Sequence, residues 1–489
     1  MNEQDVRKMK VLMLNPPFMK KFSRTSRSPG VSKGGCVYYP IWLAYATGAL
    51  KKGKNDVLLL DASGENITLN QTMKRIKEFE PEMIVIDTVT PSFDNDKKIV
   101  ARIKKEFPNT TLVLVGDHVS VLPERSLKET KADLVAIREY DFILPEIVKV
   151  LEEKKSLSNV KGIAYKKGKK IIKTLERDPP SEKELDWLPF VSEIYKEYLG
   201  IENYFYPSVQ YPEVTILTGR GCPNRCAFCK WPQTFSGRLY RKRSVKSVVD
   251  EFAWIEKNLP EVKEVMVEDD TLTQDKERTI ELCKEIIKRK IKLTWSCNAR
   301  ADVSLEVLKW MKKAHCRLMC VGIESANQEI LNNIHKGTTP NGIRQFMKDS
   351  KKARILVHGC FMFGNQGETK ETIRETAKFA RELNPDTAQF FPVMVYPGTE
   401  TYNWAKKKGY LKAKKWSDWL NKDGTHRTLL SRPGLSSKEL NELTDESRRA
   451  FYVRPRYVLS KVTQAVTNPR EIPRLAKGGF TLLKYLVRK

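Results

Sequence analysis

The sequence predicts an α/β protein: a doubly wound, Rossmann-like parallel sheet, then a partial (β/α)6 barrel, then a helical basic tail. Three observations predict it. From Lys10 to about Glu153, short and nearly continuous apolar runs alternate with helix-length segments, the pattern of strands covered on both faces by helices. The same alternation restarts at Glu213 after a Pro- and aromatic-rich stretch, and beyond about Tyr402 it gives way to basic, aromatic, helix-like sequence. The expected divisions are residues 1–153, a linker over 154–212, the barrel over 213–402 and the tail over 403–489.

In the first division the strands are Val11 to Asn15, Asp56 to Asp61, Met83 to Thr88, Thr111 to Gly116 and Ala132 to Ile137. Between them Ile41 to Lys52, Leu69 to Glu80, Asn95 to Phe107 and Phe142 to Glu153 show the apolar recurrence of helices. Ligands of such sheets sit at the carboxyl ends of the strands, which here carry Asn15-Pro16-Pro17, Asp61, Thr88 to Pro91 and Gly116-Asp117-His118. The linker opens with a Lys/Gly hairpin, KGIAYKKGKKIIKT, and continues through Asp178-Pro179-Pro180 and Trp187-Leu188-Pro189. In the barrel, strands are expected near Val214 to Thr218, Val265 to Glu268, Lys292 to Cys297, Leu318 to Glu324, Val357 to Phe363 and Thr387 to Val395.

A chain of 489 residues exceeds what one hydrophobic core ordinarily serves, so two or three domains are expected. No apolar run approaches a membrane span, and the polar start gives no signal-peptide core, so a cytoplasmic location is expected. The nine cysteines then read as metal ligands or buried thiols rather than disulfides. The formal charge of +28 points either to a phosphate-bearing partner or to a solvated Lys-rich surface.

The segment Thr218-Gly219-Arg220-Gly221-Cys222-Pro223-Asn224-Arg225-Cys226-Ala227-Phe228-Cys229 places a Cys-x3-Cys-x2-Cys loop just after the first barrel strand. Three thiolates hold three irons of a [4Fe-4S] cube and leave the fourth open to S-adenosylmethionine (SAM), whose reductive cleavage yields a 5′-deoxyadenosyl radical. Arg220, Arg225 and Lys230 are expected to favour thiolate. The competing reading is a zinc site built from Cys226, Cys229, Cys316 and Cys320.

Cys222, Cys226, Cys229 and the aromatic Phe228 match the signature of the radical SAM family, which this chain resembles. The first division resembles the cobalamin-binding domain fused to many such enzymes. The resemblance implies a metal centre at Cys222, Cys226 and Cys229. It implies SAM contacts at Phe228, Glu268, Asp269, Arg300, Glu324, Gly364 and Gly367, and a corrinoid near Asn15, Thr88 and His118. The Asp-x-His-x-x-Gly motif of histidine-ligated cobalamin proteins is absent, because Gly116-Asp117-His118-Val119-Ser120 lacks its spacing. The catalytic residues beyond the cluster are left open.

Ser26-Arg27-Ser28-Pro29, Tyr39-Pro40-Ile41-Trp42-Leu43-Ala44 and Arg138-Glu139-Tyr140-Asp141 look like the subgroup containing anaerobic magnesium-protoporphyrin cyclase and lipid head-group-modifying enzymes. The resemblance therefore implies oxygen-free C-methylation, rearrangement or cyclisation of a lipid or natural-product precursor, with flavodoxin or ferredoxin as electron donor. The alternatives are an RNA-modifying enzyme, drawn by charge alone, and a non-enzymatic metal-binding sensor. The tail, with Arg470, Arg474, Lys477, Lys484, Arg488 and Lys489 among apolar residues and a lone Glu471, reads either as a peripheral anchor on anionic membrane or as aromatics packed on the barrel with the cations facing water.

Overall fold

The computed structural model describes residues 8–32, 34–467, 471–472, 475–476 and 479–480. The first sheet contains β1 (Lys10–Asn15), β2 (Asp56–Asp61), β3 (Met83–Asp87), β4 (Thr111–Val115) and β5 (Leu134–Ala136), extended by β6 (Ile163–Lys167) and β7 (Lys170–Lys173) in the order β2-β1-β3-β4-β5-β6-β7. β1 to β5 pair in parallel, whereas β6 pairs antiparallel with β5 and with β7. The expected linker hairpin is thus the sheet's last two strands. Ile163, Ala164 and Tyr165 are buried beside β5, while Lys167 and Lys170 at the tip of the hairpin face water.

The short pair β9 (Gly219–Arg220) and β10 (Arg241–Lys242) follows β8 (Glu213–Ile216). With β8, the strands β11 (Glu264–Val267), β12 (Thr294–Arg300), β13 (Cys316–Glu324), β14 (Leu356–Phe363) and β15 (Thr387–Pro392) form a second sheet of six parallel strands, ordered β15-β14-β13-β12-β11-β8. This is the partial barrel, each strand beside its neighbour in sequence. Trp295, Cys297, Phe361, Phe363 and Phe390 pack outward under the helices. On the opposite, inner face Asn298, Arg300, His358, Cys360 and Phe391 are half-buried and Gln389 is exposed, although all lie on paired strands. Met266, Leu318 and Cys320 are buried together with Val209 on the same face.

The two divisions do not keep separate cores. One continuous apolar cluster runs from Val11 and Val85 through Ile216 and Val265 to Phe390. Helix Ile41–Lys52 is its hinge, with every side chain from Ile41 to Leu50 buried. The Tyr45 hydroxyl donates to the carbonyl of Leu217 at 3.2 Å, and that of Tyr39 to the carbonyl of Glu213 at 2.7 Å. The first domain therefore holds the second at β8, the strand that launches the cysteine loop.

The tail divides in two. Helix Ser437–Tyr452 is packed on the barrel: Phe451 is buried, and the Tyr452 hydroxyl donates to the carbonyl of Ala388 at 2.7 Å. Helix Pro455–Thr467 buries Tyr457 but exposes Val458, Leu459, Val462 and Val466. Glu471 returns to the barrel floor, where its carboxylate meets Arg317 at 3.2 Å and Gln210 at 3.1 Å. Arg470, Arg474, Lys477, Lys484, Arg488 and Lys489 lie outside the described residues.

Candidate active site

Thr218, just past β8, is tied to the end of β11. Asp269 accepts from the Thr218 amide at 2.6 Å and from its hydroxyl at 2.7 Å. Both oxygens of this carboxylate are thus engaged in holding the base of the loop. The chain then turns at Gly221, whose φ is +85° and where a Cβ would stand 2.2 Å from the Leu239 carbonyl oxygen, so glycine alone fits.

Beyond the turn, Cys222 and Cys226 are buried and Cys229 is half-buried. One side chain clamps the loop from behind. The Gln233 amide nitrogen donates to the carbonyls of Cys226 at 3.3 Å, Ala227 at 3.1 Å and Cys229 at 2.8 Å, while its oxygen accepts from the Glu400 amide at 3.0 Å. Asn224 donates to the Cys222 sulfur at 3.3 Å and to Gln274 at 2.9 Å. Burial pushes the Cys229 thiol well above its ordinary pKa, with Asp270 adding to the shift and Arg27 opposing it. Iron would reverse that sign, because a bound cation favours thiolate.

Two of the loop's own cations do not act as expected. Arg220 spends its charge on the first domain, at 3.0 Å from Glu139 and 2.6 Å from Asp141. Lys230 likewise pairs with Asp117. The cation that faces Cys229 is instead Arg27 of the first domain, which pairs with Glu268, donates to the carbonyls of Glu268 at 3.2 Å and Asp269 at 3.1 Å, and lies 4.4 Å from the Trp231 ring. In the sequence it stands within Ser26-Arg27-Ser28-Pro29. No local pattern marks a residue that acts some 200 positions further along the chain.

Four more of the expected SAM contacts lie at or just past the carboxyl ends of β12, β13 and β14. The Glu324 backbone is left-handed at φ +67°, a conformation that costs free energy in a non-glycine residue. Its carboxylate meets Lys336 at 3.0 Å through one oxygen, and the other is buried without a hydrogen-bond partner, as is the Thr338 hydroxyl. Lys336, which no local sequence pattern marks, lies 6.0 Å from the Phe228 ring. Its carbonyl accepts from Arg300 at 2.6 Å. Gly367 stands at the turn before helix Lys370–Leu383, where Glu368 accepts from the Asn365 amide at 3.0 Å. Gly364 is packed against Leu440.

The donor set suits a cluster rather than zinc. Among the described residues no group of three or more His, Cys, Asp or Glu side chains converges on one ion. Thiols that each bind a different iron need not converge. Cys316 lies in the outer core with Cys283 and Cys297, and Cys320 on the barrel floor with Leu318, so the four zinc cysteines are not gathered. The unpartnered Glu324 and Thr338 oxygens suit a polar ligand over the loop, as SAM would be.

At the first sheet the strand order reverses between β1 and β3, and a crevice at that point is where such folds take ligands. Buried oxygens of Asn15, Asp117 and Tyr140 lack hydrogen-bond partners here, as befits a ligand rimmed with amides, such as a corrinoid. The Thr88 hydroxyl donates to the Val115 carbonyl at 2.7 Å. His118 is buried, 3.1 Å from the Thr90 hydroxyl, with Phe93 at 4.1 Å and Trp416 at 4.7 Å between ring centroids. Burial pushes its imidazole down to about 3.

The Radical SAM superfamily profile matches residues 216–380, and the B12 binding domain profile matches residues 28–148. An uncharacterized methyltransferase of Pyrococcus horikoshii is 29% identical over 459 residues, 93% of this chain and 95% of that one. An anaerobic magnesium-protoporphyrin IX monomethyl ester cyclase of Cereibacter sphaeroides is 30% identical over 375 residues, 74% of this chain but 60% of the cyclase. Among solved structures, the radical S-adenosylmethionine methyltransferase TsrM of Kitasatospora setae has a TM-score of 0.69 at 16% identity, over 89% of each chain, a likeness of fold. With the loop, the barrel and the first-domain crevice assembled in one body, the chain joins a B12-binding domain to a radical SAM domain and is a radical SAM enzyme whose cofactors are a [4Fe-4S] cluster, SAM and cobalamin.

Proposed function

We propose that the chain transfers a methyl group to an unactivated carbon, or closes a ring at one, on a lipid or natural-product precursor held in the barrel cavity. Cys222, Cys226 and Cys229 hold the cluster in this reading; Phe228, Glu268, Arg300 and Glu324 line the SAM side, while Asp269 and Gly367 shape the loops around it. When bound, the cluster and SAM supply a 5′-deoxyadenosyl radical, and the corrinoid supplies a methyl group.

The observation that carries the reading is the Lys230–Asp117 ion pair. Lys230 follows Cys229, and Asp117 closes the carboxyl end of β4, so the cluster loop and the corrinoid crevice share a wall. The half-buried inner faces of β12 to β15 leave room for a substrate beside that wall. Gln389 offers an amide for orientation, and Phe391 an apolar surface. Names among the relatives support both reactions, a methyltransferase and a cyclase. The exposed Val458, Leu459, Val462 and Val466, on a chain of charge +28, support docking on anionic membrane. No helix of the described residues is long and apolar enough to cross one.

The test is anaerobic reconstitution, reduction and incubation with a lipid extract and methyl-labelled SAM. Replacing Cys222, Cys226 and Cys229 together by Ala is expected to abolish both cluster and 5′-deoxyadenosine. The double variant of Cys316 and Cys320 is expected to retain both. Full cluster content in the triple variant would overturn the ligand assignment. An extract that gains neither labelled methyl groups nor a ring, despite 5′-deoxyadenosine release, would exclude lipids as the substrate.

A further inference from the structure

We propose that Arg27 sets the reduction potential of the cluster held by the second domain, so that radical generation depends on the first domain being seated. The proposal rests on the assignment of the three loop thiolates.

The segment that carries Arg27 leaves β1 and is fastened on both sides of the residue. Before it, Arg24 is fully buried and bonds both oxygens of Asp96 at 2.9 Å and the Pro16 carbonyl at 3.1 Å. After it, the Val31 amide donates to the Gly424 carbonyl at 2.8 Å, and His426 stands 3.0 Å from the Pro29 carbonyl oxygen. Around the residue, Ser23 and Gly30 exchange backbone hydrogen bonds at 3.2 Å. The turn they close projects Arg27 over the carboxyl ends of the second domain's strands.

There the guanidinium is fixed by the Glu268 carboxylate, the carbonyls of Glu268 and Asp269, and the Trp231 ring, with Asp270 at 3.5 Å. Trp231 is two residues beyond Cys229. Arginine does not lose its proton in a protein, so this is a permanent cation. Of the loop's own cations, Arg220 is neutralised by Glu139 and Asp141 and Lys230 by Asp117, while Arg225 is exposed to water; Lys336, paired with Glu324, faces Cys226 rather than Cys229. Two carboxylates, Glu268 and Asp270, stand on the other side of the balance. A cluster gains negative charge on reduction, and its potential follows the net charge and hydrogen bonding around it. With Arg27 present the carboxylates are compensated. Without it, an arriving electron meets their uncompensated charge.

Arg27 is therefore a positioning residue for Glu268 and an electrostatic partner of the cluster, supplied by the domain that binds the corrinoid. If that segment lifts, the cluster becomes harder to reduce.

The experiment is a redox titration of the reconstituted full-length protein, followed by electron paramagnetic resonance and with cluster content measured in each sample. Arg27→Met is expected to move the midpoint to lower potential by a tenfold change in the reduction equilibrium, about 59 mV for a one-electron couple. Arg27→Lys is expected to stay near the wild type, and Asp270→Asn to move the midpoint the opposite way. A purely structural role for Arg27 would not produce shifts of opposite sign. Midpoints unchanged in both Arg27→Met and Asp270→Asn at full cluster content, or shifted in the same direction, would overturn the proposal. Should Arg27→Met fail to take up the cluster, the sign of the Asp270→Asn shift decides. A wild-type chain that takes up no cluster would instead sink the thiolate assignment, and this proposal with it.

Discussion

The Arg220 guanidinium of the cysteine loop donates at 2.6 Å to Asp141 of the first domain, and each side chain is only 2% exposed. Arg241, the register partner of Arg220, bonds Glu139 in the same network. The Arg220 guanidinium lies 4.9 Å from the Trp42 and Tyr45 rings, so the loop that carries the cysteines is held from the opposite domain by charge within an apolar surround.

Breaking one side of a buried pair leaves a charge uncompensated, which costs more than the pair contributes. Asp141→Ala is expected to destabilise the chain by about 3–5 kcal/mol, measured by urea denaturation of the apoprotein. A loss below about 1 kcal/mol, the range of exposed pairs, would show that Glu139 alone suffices.

Gln233 holds three loop carbonyls with one amide. Gln233→Ala should leave those acceptors short of a donor, at about 1–3 kcal/mol if water does not replace it. The reconstituted variant is expected to release iron to a chelator several-fold faster than wild type. Equal release rates would mean that the backbone alone fixes the loop.

His118 makes stability depend on pH. Burial keeps it neutral in the folded chain down to about 3, whereas its ordinary value is 6.5, so unfolding takes up a proton between those limits. Its contribution is complete above about pH 6.5 and is lost as pH falls through the window, by about 1.4 kcal/mol per pH unit. His118→Phe should flatten that slope between pH 6 and 4.5 in urea titrations. An unchanged slope would assign the acid sensitivity to other groups.

The same substitution separates packing from cobalt ligation. With its ring between Phe93 and Trp416, His118 is expected to be dispensable for the corrinoid. His118→Phe should retain the corrinoid after desalting, with the wild-type visible spectrum. A shifted spectrum with intact binding would make the imidazole a ligand after all.

Helix Pro455–Thr467 presents Val458, Val462 and Val466 on one exposed stripe, at the four-residue spacing that aligns side chains on a helix face. Replacing all three by Ser should lower recovery with anionic vesicles in flotation by roughly tenfold, given what burying such side chains contributes. If wild type and variant float alike, or neither floats at low salt, this helix is not the membrane contact.

Apolar runs such as MIVID and TLVLV, fully or almost fully buried in β3 and β4, declared parallel strands because buried ladders need side chains that are apolar on both faces. The spacing of Cys222, Cys226 and Cys229 pointed to cluster chemistry for a similar reason: side chains contributed by one short loop leave their pattern in consecutive residues. What only the tertiary structure decided is what long-range packing decides. The KGIAYKKGKKIIKT hairpin looked like linker, yet it pairs with β5, because strand pairing is chosen by the available edge and not by the hairpin itself. Arg220 and Lys230 looked like cations for the thiolates. They were drawn to Glu139, Asp141 and Asp117 because burial forces each charge to find an opposite one. Arg27 took that place from the other domain, and Glu471 crossed to Arg317. Local sequence carries the periodicity of strands and the spacing of a ligand loop, while the pairing of buried charges is settled only when distant segments are brought together.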